Sequence, residues 1–133
     1  MQLVDVYKHP EAPRILFELL RERTPEQSIS HKGMPTWDKH CLFISSHPYV
    51  AWYLITVDDV VGSVYLTLKD EIGIFIFNEY HSKGYGSQAI KLLMEKHPRD
   101  RYLANMNPEN YKSSGMFMKL GFKHIQDTYV YES

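Results

Sequence analysis

The residues best suited to chemistry lie in one short polar segment that contains two glycines. They are His81, Ser82, Lys83, Gly84, Tyr85, Gly86 and Ser87. The segment follows an apolar run at 72–77 and precedes a helical pattern at 88–96. A glycine turn between a strand and a helix exposes backbone N–H groups, and the positive end of the helix dipole adds attraction for an anion. This pyrophosphate loop, residues 81–87, therefore predicts a site for a pyrophosphate group.

Two common phosphate-binding patterns are absent from the pyrophosphate loop. A Walker loop needs Gly-Lys-Ser/Thr after four intervening residues, and a dinucleotide-binding fold needs three glycines in its own pattern. A Gly-x-Gly turn between strand and helix is also required by backbone geometry alone in many α/β proteins. Taken by itself, the loop leaves anion binding and simple chain reversal as equal alternatives.

Length and charge restrict the class of protein. A chain of 133 residues suits one domain over 1–133, with a core that needs neither disulfides nor metals. The 15 basic and 16 acidic side chains nearly balance, and no run of like charges could follow a phosphate backbone or an anionic membrane. We therefore expect no nucleic-acid partner and no membrane partner. The 7 histidines form no pair at metal-ligand spacing, so we also expect no metal site.

The sequence also indicates a cellular location. The longest apolar run, 49–57, is too short to cross a bilayer, and residues 1–5 lack the basic start and apolar core of a signal peptide. Cys41 is the single cysteine, which excludes an internal disulfide and fits a reducing compartment. It lies in an apolar run, where a free cysteine usually packs rather than reacts. We expect a soluble cytoplasmic protein.

The apolar patterns predict both helices and strands. Helical spacing of apolar residues predicts helices at 12–23, about 36–46, 88–96 and about 108–120. Alternating or β-branched runs predict strands at 2–7, 49–57, 60–68, 71–77, 101–106, 122–126 and 129–132. Asp58 and Asp59 are expected to form the turn between the second and third strands. In the second helix, Trp37, Cys41 and Ile44 are expected to share one face.

A second motif near the C-terminus identifies a family resemblance. The pattern is Asn110-x-x-Ser113-x-x-x-Phe117-x-x-x-Gly121-Phe122. With the pyrophosphate loop and the element order, it resembles the GNAT N-acetyltransferase superfamily over the whole chain, although His81 stands where the family usually has Arg or Gln. The resemblance implies an α/β (α+β) three-layer fold. Its central sheet is mixed and mostly antiparallel, has a V-shaped split between the fourth and fifth strands, and is flanked by about four helices.

The resemblance also implies acetyl-CoA as co-substrate. The pyrophosphate of the coenzyme would lie on the loop amides, and its pantetheine arm would enter the split. There the strand would offer backbone groups and the C-terminal helix a side-chain amide. Gly121 suits the left-handed residue that ends a helix. The cofactor-binding residues implied are Phe75, Ile76, His81, Ser82, Lys83, Gly84, Tyr85, Gly86, Ser87, Asn110, Ser113 and Phe117.

The same resemblance implies catalytic roles. The backbone N–H near Ile76 would bind the oxyanion that forms at the thioester carbonyl. Glu71 is a candidate general base, with His31 and His40 as rivals. The family usually has a tyrosine as proton donor where this chain has Phe117, and a phenyl ring cannot donate a proton. The thiolate would then leave unassisted, or be protonated by water or by a hydroxyl of Ser113, Ser114, Tyr111 or Tyr85.

The leading functional hypothesis is an acetyl-CoA-dependent N-acetyltransferase that acts on the primary amine of a small molecule. By the resemblance, the loop at 21–37 walls the acceptor site, and its imidazole, hydroxyl and cation suit a polyhydroxylated or anionic small molecule. The segment also resembles that of small GNAT enzymes acting on amino sugars, which favours an amino sugar or its nucleotide-linked form. Trp37, Trp52 and Tyr53 are candidates to stack on a sugar. The alternatives are a non-catalytic acyl-CoA sensor and a protein lysine or N-terminal acetyltransferase. A C-terminal hairpin could pair across a two-fold axis in a homodimer.

Overall fold

The computed structural model describes residues 1–23, 34–107 and 109–133. Within these ranges the chain forms four β-strands, four α-helices and short 3-10 helices at Val6–Lys8 and Asn78–Tyr80. The strands are β1 (Gln2–Asp5), β2 (Ala51–Thr56), β3 (Val60–Leu66) and β4 (Ile72–Ile76). The helices are α1 (Ala12–Arg21), α2 (Trp37–Ser45), α3 (Tyr85–Lys96) and α4 (Tyr111–Lys119).

The four strands form one antiparallel sheet in the order β1-β2-β3-β4. The turn between β2 and β3 lies at Asp58 and Asp59, where the Val57 N–H donates to the Asp59 carbonyl at 3.0 Å. A register shift between Ile55 and Thr56 marks the end of β2. The predicted meander is confirmed, with each of its strands shorter than the predicted run.

Helices cover both faces of the sheet and form the three predicted layers. Adjacent residues of a strand point to opposite faces, so each strand contributes to two cores. One core joins the sheet to α3 and α4 through Ile55, Val64, Leu66, Ile72, Ala89, Ile90, Leu93 and Phe117. The other joins the sheet to α1 and α2 through Val6, Ala12, Leu16, Leu19, Ile44, Trp52 and Leu54.

The predicted fifth strand is reduced to one point of contact with β4. The Leu103 N–H donates to the Asp70 carbonyl at 2.9 Å, and the Ile72 N–H donates to the Leu103 carbonyl at 2.7 Å. These bonds form an isolated parallel bridge. In the described ranges, no backbone hydrogen bond joins β4 beyond Ile72 to residues 104–106. The segment therefore diverges from β4, and the gap between them is the split.

The predicted terminal strands at 122–126 and 129–132 are wrong. Residues 122–133 form no strand, and Ile125, Tyr129 and Tyr131 are largely exposed. A strand needs a neighbour to satisfy its backbone, and an isolated hairpin is marginally stable in water. Because the segment around Leu103 does not extend the sheet, the tail has no ladder to join.

The face of α2 that carries Trp37, Cys41 and Ile44 is buried only at Ile44. The buried residues of α2 are His40 and Ile44, whereas Trp37 is 45% exposed and Cys41 is partly exposed. The His40 Nε2 lies 2.8 Å from the Pro13 carbonyl, so the imidazole makes a polar contact between α1 and α2. Hydrophobic spacing alone could not identify this residue, because a histidine is buried only where it finds such a partner.

Stability is expected to depend on the pH through His97. The His97 Nε2 lies 2.7 Å from the Tyr53 hydroxyl. Burial, followed by the charges of Arg99 and Lys96, lowers the pKa of His97 below its ordinary value of 6.5. The unfolded chain therefore binds a proton more readily, so stability falls as the pH drops from 6.5 through the folded-state pKa.

Scanning calorimetry between pH 7.5 and pH 5 tests this expectation. The melting temperature of His97→Gln should fall less steeply over this interval than that of the wild type, since the variant lacks the titrating imidazole. Equal slopes for the two proteins would contradict the prediction.

Candidate active site

The backbone N–H groups of β4 point alternately towards β3 and towards the segment that contains Leu103. The Phe77 N–H, just beyond the strand, donates to the Val61 carbonyl on the β3 side at 2.9 Å. The Ile72 N–H donates in the opposite direction, to Leu103. In an antiparallel pair, consecutive residues alternate in this way. Odd-numbered residues of β4 therefore bond to β3, and even-numbered residues point towards the split.

This alternation decides which strand residues can serve a bound molecule through their backbone. The peptide groups of Ile74 and Ile76 point into the split. Those of Phe75 point to Ser63, its register partner on β3. Of the two strand residues predicted for the cofactor, Ile76 thus presents its peptide to the split and Phe75 does not. Ile74, which sequence reasoning missed, is the second such residue, because the direction of a peptide follows from pairing rather than from residue type.

The pyrophosphate loop turns the chain from β4 into α3 through two residues with positive φ. These are Ser82 at 65° and Gly84 at 78°. The Gln88 N–H donates to the Gly84 carbonyl at 3.2 Å and begins the helical bonding. In the described part of the chain, no N–H group from 82 to 87 donates to a protein acceptor. These free amides lie at the start of α3, where backbone donors and the helix dipole favour an anion.

The two glycines of the loop have different surroundings. A Cβ atom on Gly86 would lie 2.9 Å from the Met116 Sδ and 3.8 Å from the Cγ1 atoms of Ile74 and Ile76. Gly86 therefore allows the first turn of α3 to pack closely against β4 and α4. A Cβ on Gly84 would meet nothing within 4 Å, so this position opens to solvent beside the free amides.

His81 connects the pyrophosphate loop to the split. Its ring Nε2 lies 2.8 Å from the Ile76 carbonyl, which is the acceptor of this hydrogen bond. The Ile76 carbonyl would otherwise point into the open split. The ring that replaces the usual Arg or Gln thus holds the loop against the end of β4, which makes His81 a positioning residue.

Replacing His81 by Ala is expected to weaken the binding of coenzyme A by about fivefold, since a neutral hydrogen bond contributes about 1 kcal/mol. Isothermal titration calorimetry measures the change. The matched variant His81→Gln retains a side-chain donor and should lose less affinity. Equal affinity of wild type and His81→Ala would show that the ring has no positioning role.

Glu71 lies at the closed end of the split, immediately before β4. The Thr67 Oγ1 donates to its Oε1 at 3.1 Å, and the Asn105 Nδ2 donates to its Oε2. The carboxylate therefore joins the β3–β4 turn to the segment beyond Leu103. Its side chain lies on the sheet face that α1 and α2 cover, and its Cα is about 10 Å along the strand from that of Ile74.

Of the other predicted bases and stacking residues, those that the structure describes are not brought to the split. His40 is buried between α1 and α2, and His31 lies outside the described residues, as does most of the predicted acceptor loop. Trp52 lies on the sheet face that packs against α1 and α2, whereas Tyr53 packs against the opposite core. Together with the exposed Trp37, these rings form no common surface for a sugar.

The C-terminal motif determines where α4 begins and ends. The Asn110 Oδ1 accepts a hydrogen bond from the Ser113 N–H at 3.2 Å and caps the helix. Gly121 has a φ of 100°, as predicted for a residue that ends a helix. Phe117 is 4% exposed, and its ring packs edge-on against Phe122. The motif thus places Asn110 and Ser113 at the start of α4 and the Phe117 ring in the core.

Sequence reasoning also missed a cluster on the α1–α2 face of β4. A Cβ on Gly73 would lie 1.9 Å from the Tyr65 Cζ, so the ring of Tyr65 lies directly across this glycine. Near the Tyr65 ring lie the rings of Tyr49 and Phe75 and the guanidinium of Arg23. The available signal was Gly73, because a glycine inside a strand often marks a close approach by another group.

Among the described residues, a second concave surface lies away from the pyrophosphate loop. A depression of about 290 Å³ at the other end of the sheet is lined by residues that include Asp5, Tyr7, His47, Tyr53 and His97, and by none of the pyrophosphate loop. Among the described residues, no group of three or more His, Cys, Asp or Glu could hold a metal ion. Likewise, no helix in the described ranges is long and apolar enough to cross a membrane.

Known proteins of the same fold were found by comparison of structures. A domain from Methanocaldococcus jannaschii superposes with a TM-score of 0.80 at 18% identity, over 96% of this chain and 90% of that one. An acetyltransferase from Thermus thermophilus gives 0.73 at 17% identity, over 95% and 88%. The aminoglycoside 6'-N-acetyltransferase of Acinetobacter haemolyticus gives 0.72 at 11% identity, over 100% and 98%. These TM-scores show a shared fold.

Comparison of sequences decides the family. Curated protein sequences give no significant match to the chain. The profile of the family described as "Acetyltransferase (GNAT) domain" matches residues 3–123, which is most of the chain. The match includes both motifs and the split sheet. The chain therefore belongs to the GNAT family of acetyltransferases.

Proposed function

We propose that this acetyltransferase transfers the acetyl group of acetyl-CoA to the primary amine of a small molecule. The observation that carries the proposal is the arrangement of free backbone donors around one end of β4. The N–H groups of 82–87 have no protein acceptor in the described ranges, and those of Ile74 and Ile76 face the split beside them. Together they form a continuous surface from an anion site to an opening in the sheet.

The residues present fit coenzyme A. The free amides of the pyrophosphate loop and the dipole of α3 suit its pyrophosphate, and the exposed ammonium of Lys83 adds positive charge. The amides of the pantetheine arm can pair with the peptide groups of Ile74 and Ile76 along the split. Asn110 and Ser113, at the start of α4, are the proposed side-chain contacts of the arm.

The reaction requires few groups from the protein. The amine nitrogen attacks the thioester carbonyl carbon, the new C–N bond forms, and the C–S bond breaks as coenzyme A leaves as a thiolate. The Ile76 N–H is the proposed donor to the carbonyl oxygen as negative charge develops there. Glu71 is the proposed base. Because its Cα lies about 16 Å along the strand from that of Ile76, it accepts the amine proton through bridging water molecules. Phe117 donates no proton, so the thiolate leaves unassisted or takes a proton from water or a nearby hydroxyl.

The proposed acceptors are amino sugars and their nucleotide-linked forms. Support comes from the aromatic surface of Tyr49, Tyr65 and Phe75 on the α1–α2 face of β4, since aromatic rings pack well against sugar rings. We further propose that the protein is cytoplasmic, since a single cysteine fits a reducing compartment. We also propose that the exposed C-terminal tail contacts a second copy of the chain.

A thiol-release assay tests the proposal. Wild-type protein with acetyl-CoA should release free coenzyme A when a primary amine is added, and the panel should include amino sugars, polyamines and peptides with free N-termini. Release with a small amine supports the proposal, and release with peptides alone identifies a protein acetyltransferase. Tight binding of acetyl-CoA without release for any amine would identify a sensor and contradict the proposal.

A further inference from the structure

Two tyrosines on the α1–α2 face of β4 form a stacked pair. The ring centroids of Tyr49 and Tyr65 are 3.9 Å apart with an interplanar angle of 4°. Burial raises the pKa of both phenols, so both hydroxyls carry their protons at neutral pH. The two hydroxyls also act on each other, raising the pKa of Tyr49 and lowering that of Tyr65. The Tyr65 hydroxyl therefore carries a proton that it can donate to an acceptor.

Arg23 brings a positive charge to this pair. Its guanidinium carbon lies 5.2 Å from the centroid of the Phe75 ring, and its charge acts on both phenols. The end of α1 is held in place by the neighbouring Glu22, whose Oε1 accepts a hydrogen bond from the Asn78 N–H at 2.7 Å. The end of α1 thus positions the guanidinium of Arg23 over β4.

The charge of Arg23 is not neutralised by the part of the chain that the structure describes. Arg14, Arg21 and Arg99 each form an ion pair with a carboxylate, whereas Arg23 forms none with a described residue. Both neighbouring phenols are neutral donors. A guanidinium beside a hydroxyl proton matches the oxygens of a carboxylate or a phosphate, which accept several charge-assisted hydrogen bonds.

We propose that Arg23 and the Tyr65 hydroxyl bind an acidic group, a phosphate or a carboxylate, on the acceptor amine. This inference rests on the proposed acetyl transfer. The Phe75 ring forms the floor of the subsite. Phe75 lies between Ile74 and Ile76 in β4, so an acceptor held here lies beside the peptide groups that face the split. Arg23 thus determines which amines are used, and Tyr49 positions the Tyr65 ring by stacking on it.

Matched pairs of amines test the subsite in the thiol-release assay. Glucosamine 6-phosphate is compared with glucosamine, and β-alanine with β-alaninamide. The wild type should prefer the acidic member in kcat/KM, and Arg23→Gln should reduce this preference by about 10- to 100-fold, mainly through KM. Arg21→Gln, two residues earlier in a surface ion pair with Glu18, is the matched control and should keep the preference. Equal use of acidic and neutral amines by the wild type would overturn the inference while acetyl transfer stands.

Direct binding provides a readout that does not need turnover. The ring resonances of Tyr49 and Tyr65 are followed by NMR in coenzyme A-saturated protein while inorganic phosphate, or separately acetate, is added. Shifts in the wild type that are lost in Arg23→Gln support the subsite, and the more effective anion identifies the acidic group. Unmoved rings with both anions would overturn it. If coenzyme A does not bind, the titration is made without it, and ring shifts would then support the subsite while the proposed function fails.

Discussion

The substitution Gly84→Asp is expected to weaken the binding of coenzyme A by at least about tenfold relative to Gly84→Asn. Position 84 has a φ of 78° and opens to solvent beside the free amides of the pyrophosphate loop. Asp and Asn tolerate this left-handed conformation better than other side chains and have nearly the same shape. The two variants therefore differ chiefly in a negative charge that would repel the pyrophosphate.

Calorimetric titration with coenzyme A measures this difference, and thermal unfolding of the free proteins checks that both variants fold. Similar melting temperatures are expected, because no atom lies within 4 Å of the added Cβ. The difference in affinity should shrink at high salt, since exposed charges are screened. Equal dissociation constants for the two variants would place the pyrophosphate elsewhere.

The second large effect is expected at Glu71. Its replacement by Gln should lower kcat/KM by about 10²- to 10⁴-fold, the usual contribution of a general base. The amide of Gln keeps an oxygen that can accept from the Thr67 hydroxyl, and the Asn105 amide can reorient to accept from its nitrogen. The melting temperature should therefore change little. Rates come from the thiol-release assay at saturating acetyl-CoA, and stability from thermal unfolding.

Thr67→Val is the control that separates chemistry from structure at this site. It removes the hydroxyl that contacts Glu71 and keeps the carboxylate, so it should lower stability more than activity. If Glu71→Gln retains nearly wild-type kcat/KM, Glu71 serves only to join the β3–β4 turn to Asn105. The base would then have to be another residue or water.

Local patterns in the sequence predict the parts of this fold that depend on local rules. The glycines of the pyrophosphate loop, the turn at Asp58 and Asp59, and Gly121 at the end of α4 each fulfil a backbone requirement that residue type reveals. The apolar runs of the meander likewise predict its strands, because burial on both faces gives them long hydrophobic stretches.

Features that depend on pairing between distant segments could not be predicted in this way. The peptide direction of Ile74 and Ile76 depends on the register of β4 with β3, which residue type does not encode. The tail at 122–133 has strand-like composition and forms no strand, since the segment it would join diverges from the sheet. Arg23 reaches Phe75 only because the end of α1 lies over β4.

We propose that free backbone amides at the end of β4 and in the loop after it bind coenzyme A. The most direct test is an NMR titration of 15N-labelled protein with coenzyme A, followed at the backbone amides. The largest changes are expected at 82–87, whose N–H groups have no protein acceptor in the described ranges, and at Ile74 and Ile76, whose N–H groups face the split. Changes confined to other surfaces, such as the depression beside Asp5 and His97, would contradict the claim.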